Sequence, residues 1–258
     1  MSGAGSAQAI LECRRVEKHY GALIAVGGVD LSVAAGETIG IGGPNGAGKT
    51  TFFDLISGLT PVSGGQVLFG GRTITGVAPH KLFHDGLART FQVTSGFGSL
   101  TVLQNMLAAT VFGSRNVRRG LLFNKDNRDM AMDALNKFGL AHLAGHSVSS
   151  IPVLARKKLM VATAVVHEPK LLLLDEPVSG LLPTEVDEFI QLMDKLRRRG
   201  ICIVFIEHVM RFLTAVADRA LIMHQGKLIY DGKPHGIAQD RTVRTVYLGA
   251  EADVMGRH

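Results

Sequence analysis

"ETIGIGGPNGAGKTTFFDLIS", Glu37 to Ser57, is the stretch whose reading decides the fold. Within it GPNGAGKT, Gly43 to Thr50, fits G-x-x-x-x-G-K-[ST], and it stands where that spacing has a physical meaning. An apolar run, ETIGIGG, reads as a buried strand before it, and a helix is expected from about Lys49 to Ser57 after it. Backbone N–H groups can wrap a phosphate only where no Cβ intrudes, which is the work of Gly46 and Gly48. The helix N-terminus adds the positive end of its dipole. In such a loop Lys49 reaches the β and γ phosphates of a nucleotide and the Thr50 hydroxyl binds Mg²⁺.

A phosphate loop needs a second half that holds the metal and activates water. LLLLDE, Leu171 to Glu176, supplies two carboxylates at the end of an apolar strand. Asp175 is placed to bind Mg²⁺ through water, and Glu176 to orient or deprotonate the attacking water. His208 follows another apolar strand, ICIVFIE, so it falls on the same sheet edge as Asp175 and Lys49 if those strands are neighbours.

Outward from these segments the chain changes character twice. Residues 9 to 35 read as short strands and turns, and GGQVLFGGRTI adds a hairpin, which together suggest an antiparallel sheet. From roughly 93 to 168 helical patterns dominate: TVLQNMLAATVF, NKDNRDMAMDALNKFGL and PVLARKKLMVATAVV. Alternation then returns, with KLLLLD, a helix in PTEVDEFIQLMDKLRRRG, the strand ICIVFIE, a helix in HVMRFLTAVADR and a closing hairpin in ALIMHQGKLIYDGKP. Such βαβα order predicts a mostly parallel sheet flanked by helices.

Composition is globular, with 46% hydrophobic and 19% charged residues in 258. Cys13 and Cys202 lie far apart in strand-like runs, so buried free thiols are expected rather than a disulfide or metal knuckle. The N-terminal stretch lacks a basic region followed by an apolar one, so no secretory signal is expected. No apolar stretch approaches the roughly 20 residues that cross a bilayer. The net charge of +6 suits acidic partners. The basic clusters, Arg118-Arg119, Arg156-Lys157-Lys158 and Arg197-Arg198-Arg199, are short, separate and free of interleaved aromatics. They read as solvated surface and argue against a nucleic-acid partner.

With these motifs in place the chain resembles the ATP-binding subunits of ABC transporters, most closely those of branched-chain amino acid importers, from Ile10 to Gly249. RTFQ at 89–92 is similar to the family's Q-loop, EHVMRFLTAVADRALIMHQGKLIYDGKP to its histidine switch and closing hairpin, and YLGAE to the branched-chain and lipopolysaccharide-export groups. The resemblance implies an α/β P-loop NTPase fold: a RecA-like, mostly parallel sheet core with an antiparallel β subdomain and an inserted helical subdomain. It implies one domain over 9–250, with 9–92 and 169–250 as the nucleotide-binding core, 93–168 as the helical part, and flexible ends at 1–8 and 251–258. ATP and Mg²⁺ are the implied cofactors, with phosphate contacts from Gly43, Pro44, Asn45, Gly46, Ala47, Gly48, Lys49, Thr50 and Thr51. Tyr20 is implied to stack on adenine, while Gln92 touches Mg²⁺ and relays to the membrane subunit.

The implied partners are integral-membrane permeases, a second cassette and, indirectly, an extracytoplasmic solute-binding protein, with this chain peripheral on the cytoplasmic face. A groove from about 85 to 115 is implied to receive a permease helix.

Two segments depart from the family. Counting back from EPKLLLLDEP puts its signature, normally close to LSGGQ, on Ile151, Pro152, Val153, Leu154 and Ala155. In the family this motif grips the γ-phosphate of ATP held by the opposed subunit. Pro152 has neither the hydroxyl nor an N–H, and Leu154 puts a side chain where backbone should approach phosphate. A helix start survives there, since serines precede a proline near the first turn. The D-loop ends in Leu182 where Asp or Asn is usual. Both defects lie in what the chain offers a neighbour, which leads to the expectation of a heterodimer with unequal sites.

Overall fold

A computed structural model describes residues 9–90, 98–113 and 125–246. Gln92, the YLGAE segment at 247–251 and the ends expected to be flexible, 1–8 and 251–258, lie outside the described residues.

Strands β1 (Ala9–Tyr20) and β2 (Leu23–Ala34) form a long hairpin, and β1 also pairs antiparallel with β4 (Gly64–Phe69). With β5 (Arg72–Thr73) they make a sheet of order β2-β1-β4-β5. The second sheet centres on β3 (Thr38–Gly42), whose neighbours are β9 (Arg219–His224) and β8 (Cys202–Ile206). It continues through β7 (Leu171–Asp175) to β6 (Leu87–Arg89) on one side and β10 (Lys227–Gly232) on the other. Strands β3, β6, β7, β8 and β9 are parallel, and β10 is antiparallel to β9.

The apolar runs of β7 and β8 are continuous because both faces of this sheet are covered. Leu171 and Leu173 join a core with Phe52 and Phe53 of α1 (Lys49–Ile56) and with the antiparallel sheet. Leu172 and Leu174 point the other way, toward Phe189 of α6 (Pro183–Arg198) and Phe212 of α7 (Met210–Val216). Each buried leucine contributes about 1.5–3 kcal/mol relative to exposure.

The inserted helices are α3 (Val102–Phe112), α4 (Lys125–Lys137) and α5 (Val153–Val165). Helix α3 opens with a reciprocal cap: Gln104 N–H donates to Thr101 Oγ1 at 3.1 Å and Thr101 N–H to Gln104 Oε1 at 2.8 Å. The chain also contains two elements with weak signals, α2 (Pro79–Asp85) and the three-residue strand β6, in a region where the pattern predicted neither. Helix α7 is shorter than its amphipathic pattern suggests, because Val209 is extended at ψ 96° and holds His208 on a loop. Cys13 and Cys202 are buried free thiols, and burial pushes the Cys13 thiol far up from its ordinary value. Among the described residues, no helix is long and apolar enough to cross a membrane.

Candidate active site

Because β3, β8 and β7 are adjacent and parallel, Gly42, Ile206 and Asp175 end on one edge of the sheet. The loop from Gly43 to Gly48 leaves β3 at that edge and enters α1. Two of its glycines are required by space and by backbone. A Cβ on Gly43 would lie 2.2 Å from the Met223 carbonyl oxygen, and one on Gly48, at φ +97°, would lie 2.3 Å from that of Ala25. Gly48 caps α1 without any side-chain bond to the first-turn N–H groups, so they remain available to an anion. Gly48→Ala is expected to destabilise the fold by about 2–3 kcal/mol, from a left-handed residue plus a backbone collision. A urea midpoint equal to that of the parent chain would contradict this.

Lys49 is buried, and its Nζ donates to the carbonyl oxygens of Gly43 at 2.8 Å and Pro44 at 2.9 Å. The loop thus wraps its own ammonium. Burial lowers the Lys49 pKa from the ordinary lysine value, against the opposing charges of Glu176 and Asp175. Thr50, Asn45 and Gly46 are exposed, Thr51 and Pro44 half-buried, and Ala47 buried.

Asp175 ends β7 and is only 4% exposed. Its Oδ2 accepts from Arg89 Nη2 at 3.3 Å, and Arg89 also donates to Asp54 at 2.7 Å and to the Ser57 hydroxyl at 2.8 Å. Asp175 Oδ1 is buried with no hydrogen-bond partner among the described residues. Burial raises the Asp175 pKa above the usual carboxylate value, and Arg89 only partly offsets this. An orphaned anionic oxygen beside a phosphate loop is a place for a hard cation.

Glu176 has φ +47°, a left-handed conformation that costs a non-glycine residue about 1–3 kcal/mol. Three contacts hold it: its N–H donates to Ile206 O at 3.1 Å, and its carbonyl accepts from Lys157 Nζ at 2.9 Å and from Ser179 N–H at 3.4 Å. His208 sits one strand over with its side chain 57% exposed.

The remaining predicted residues fall elsewhere. Tyr20 ends β1 half-exposed, with Lys18 Nζ 5.0 Å from its ring centroid. Pro152 is the N-cap of α5, one residue earlier than a first-turn proline, and makes no side-chain cap bond. Val153 is half-buried, Ala155 is buried, and Leu154 packs against the helical-side core. Leu182 is 66% exposed before α6, and its N–H donates to Glu185. Three further residues contact the predicted set and carry no sequence motif of their own. Arg89 lies on the unforeseen β6. Lys157 was grouped with a solvated basic cluster, yet it is 4% exposed, because consecutive helical residues are about 100° apart and one of the three faces inward. Glu207, the last residue of the run ICIVFIE, is fully buried.

The fold and this edge together define a P-loop cassette, a class that holds a nucleotide at the carboxyl ends of parallel strands. The ABC transporter family matches residues 26–179, more than half of the chain. The chain is similar to the high-affinity branched-chain amino acid transport ATP-binding protein BraF of Pseudomonas aeruginosa, 32% identical over 249 residues covering 93% of this chain and 98% of that one. It is equally similar, at 32% over 243 residues, to the lipopolysaccharide export system ATP-binding protein LptB of Escherichia coli K12, covering 94% and 98%. Among solved structures it resembles a nucleotide-free ATP-binding cassette from an ABC transporter, with TM-score 0.86, 26% identity and 93% and 99% covered. An ADP-bound cassette aligns at TM-score 0.85 and 26% identity, with 94% and 99% covered. The chain belongs to the ABC transporter family as an ATP-binding subunit, an ATPase that energises transport.

Proposed function

We propose that this chain hydrolyses Mg²⁺-bound ATP at the β3–β8–β7 edge to drive a branched-chain amino acid or related polar solute through partner permeases. It would work as one half of an asymmetric cassette dimer on the cytoplasmic face of the membrane, served indirectly by an extracytoplasmic binding protein. The observation that supports this most is the convergence of Lys49, Asp175, Glu176 and His208 on one sheet edge.

Gly43 to Thr51 cradle the phosphates, and Lys49 turns from its own loop carbonyls to the β and γ oxygens. Tyr20 stacks on adenine with Lys18 over one ring face. Asp175, Thr50 and Gln92 would hold Mg²⁺, which when bound neutralises charge on the β and γ oxygens. Glu176 orients and deprotonates the attacking water, and His208 meets the γ-phosphate. An apolar hollow of about 210 Å³ beside Arg89, lined by Leu59, Pro79, Phe83 and Leu87, suits the permease helix.

The unequal-site reading rests on Pro152, Leu154 and Leu182, which offer a neighbour's nucleotide no hydroxyl, no close backbone approach and no polar D-loop contact. Loss of one preorganised donor typically costs roughly 2.7–4 kcal/mol, or about 10²–10³ in rate. A mixture with a partner cassette carrying an intact signature is therefore expected to turn over ATP at least about tenfold faster than this chain alone. Equal rates would remove the asymmetric dimer. The equal similarity to the export protein supports a second reading, a lipopolysaccharide-export-type cassette. Uptake of labelled leucine that does not depend on this chain would favour it.

A further inference from the structure

Lysine and glutamate are almost never fully buried unless paired. Lys157 and Glu207 are 4% and 0% exposed, and both lie behind the hydrolytic edge rather than on it. Glu207 Oε1 accepts from Val178 N–H at 2.8 Å, and Oε2 accepts from His208 N–H at 3.0 Å and Val209 N–H at 3.2 Å. One carboxylate thereby ties the loop after Glu176 to the loop that carries His208. Lys157, in the second turn of α5, donates to the carbonyl of Glu176 itself.

Lys157 lies in the field of Glu207 and of Glu176. Burial pushes the Lys157 pKa down and the Glu207 pKa up, while the Glu207 charge draws Lys157 back toward its ordinary value. Buried charges of this kind are a weak source of net stability, because desolvation offsets what their hydrogen bonds return. Its geometric effect is larger. Glu176 sits at φ +47°, so its place must be imposed by contacts, and the Lys157 bond is one of only a few that reach it. Displacing a reacting group by about 1 Å can cost about 10² in rate.

We infer that Lys157 and Glu207 are positioning residues for ATP hydrolysis: Lys157 fixes the Glu176 backbone from α5, and Glu207 locks the Glu176–Ser179 loop to His208. The inference rests on the reading of Glu176 and His208 given above. It also gives the degenerate signature a consequence within its own subunit. The helix that Pro152 caps carries, five residues on from it, the ammonium that holds the water-activating residue, so movement of α5 against a neighbour reaches this chain's own site.

The test uses the full-length chain in its partner complex. Lys157→Met and Glu207→Gln are each expected to lower kcat about 10- to 50-fold while the KM and Kd for ATP stay within about twofold. Lys157→Gln, which keeps a donor for the Glu176 carbonyl, should recover part of the loss. The double variant should fall no further than the worse single, since both act on one loop. In the unsubstituted chain, the Val178, His208 and Val209 amides should exchange hydrogen as slowly as those of β8. Turnover within twofold of the parent, Kd rising in step with the loss of kcat, or fast exchange at those amides would each overturn the inference. Glu176→Gln is the reference. If it leaves turnover intact, the reading of Glu176 itself fails; if it abolishes turnover while Lys157→Met does not, only the positioning role is lost.

Discussion

Glu176→Gln is expected to lower ATP turnover by at least about 10²-fold while leaving ATP binding within about twofold. The substitution keeps size and hydrogen-bonding reach but removes the basic oxygen. The contacts that place residue 176 are made by its backbone, through Ile206 O, Lys157 Nζ and Ser179 N–H, so they survive the change. The phosphate cradle and Lys49 are likewise untouched. An interaction used only in the transition state lowers kcat and kcat/KM equally and spares substrate binding. Steady-state hydrolysis and equilibrium binding of a fluorescent ATP analogue would check this. Uptake should fall with hydrolysis. Uptake that persists at the parental level would mean that nucleotide binding alone does the work, as in a regulatory cassette. A loss of binding equal to the loss of turnover would mean that Glu176 belongs to the cradle rather than to the chemistry.

The parts of this site that were legible from sequence are those whose physics is local. The phosphate loop could be read because its residue pattern lies within eight consecutive positions flanked directly by the buried strand and the helix, although the atoms that deny Gly43 and Gly48 a Cβ belong to Met223 and Ala25 elsewhere in the chain. Asp175 and His208 were legible because continuous apolar runs mark β7 and β8, and parallel pairing then places their ends on one edge. Arg89 was not, because β6 has three residues and no periodicity to detect, and its role depends on Asp54 and Asp175, 35 and 86 positions away. Lys157 and Glu207 failed for a related reason. Their charges mark them as surface by composition, and only tertiary packing shows that the α5 face carrying Lys157 turns inward. The signature lies between these cases. Its helix start could be read, but the half-buried packing of Leu154, which makes restoration of a glycine costly, could not.

Asp175→Asn should stop hydrolysis and yet raise the melting temperature at neutral pH. The carboxyl is 4% exposed, and burial, joined by the charges of Glu176 and Asp54, raises its pKa above the usual value despite Arg89. The folded chain therefore holds this proton more tightly than the unfolded chain does. Stability from the group is full below the unfolded pKa and is lost as pH rises through the raised folded value. At pH 7 the ionised, partly unpartnered carboxylate is a net cost, which asparagine removes. Arg89 keeps Asp54 and Ser57, and the asparagine oxygen can still accept from it, so no guanidinium is stranded. Active-site relief of this kind is commonly worth about 1 kcal/mol, or about 2–4 °C in a chain of this size. The gain should vanish at a pH below the ordinary aspartate value, where the parent carboxyl is already neutral. Loss of one hard oxygen donor at the metal position should lower turnover by at least about 10²-fold. It should also remove most of the extra thermal stabilisation that Mg²⁺ adds to ATP, read by differential scanning with and without the metal. A variant that melts lower than the parent at pH 7 would show that the Arg89 pairing outweighs burial, and that the burial cost assigned to Asp175 is not there.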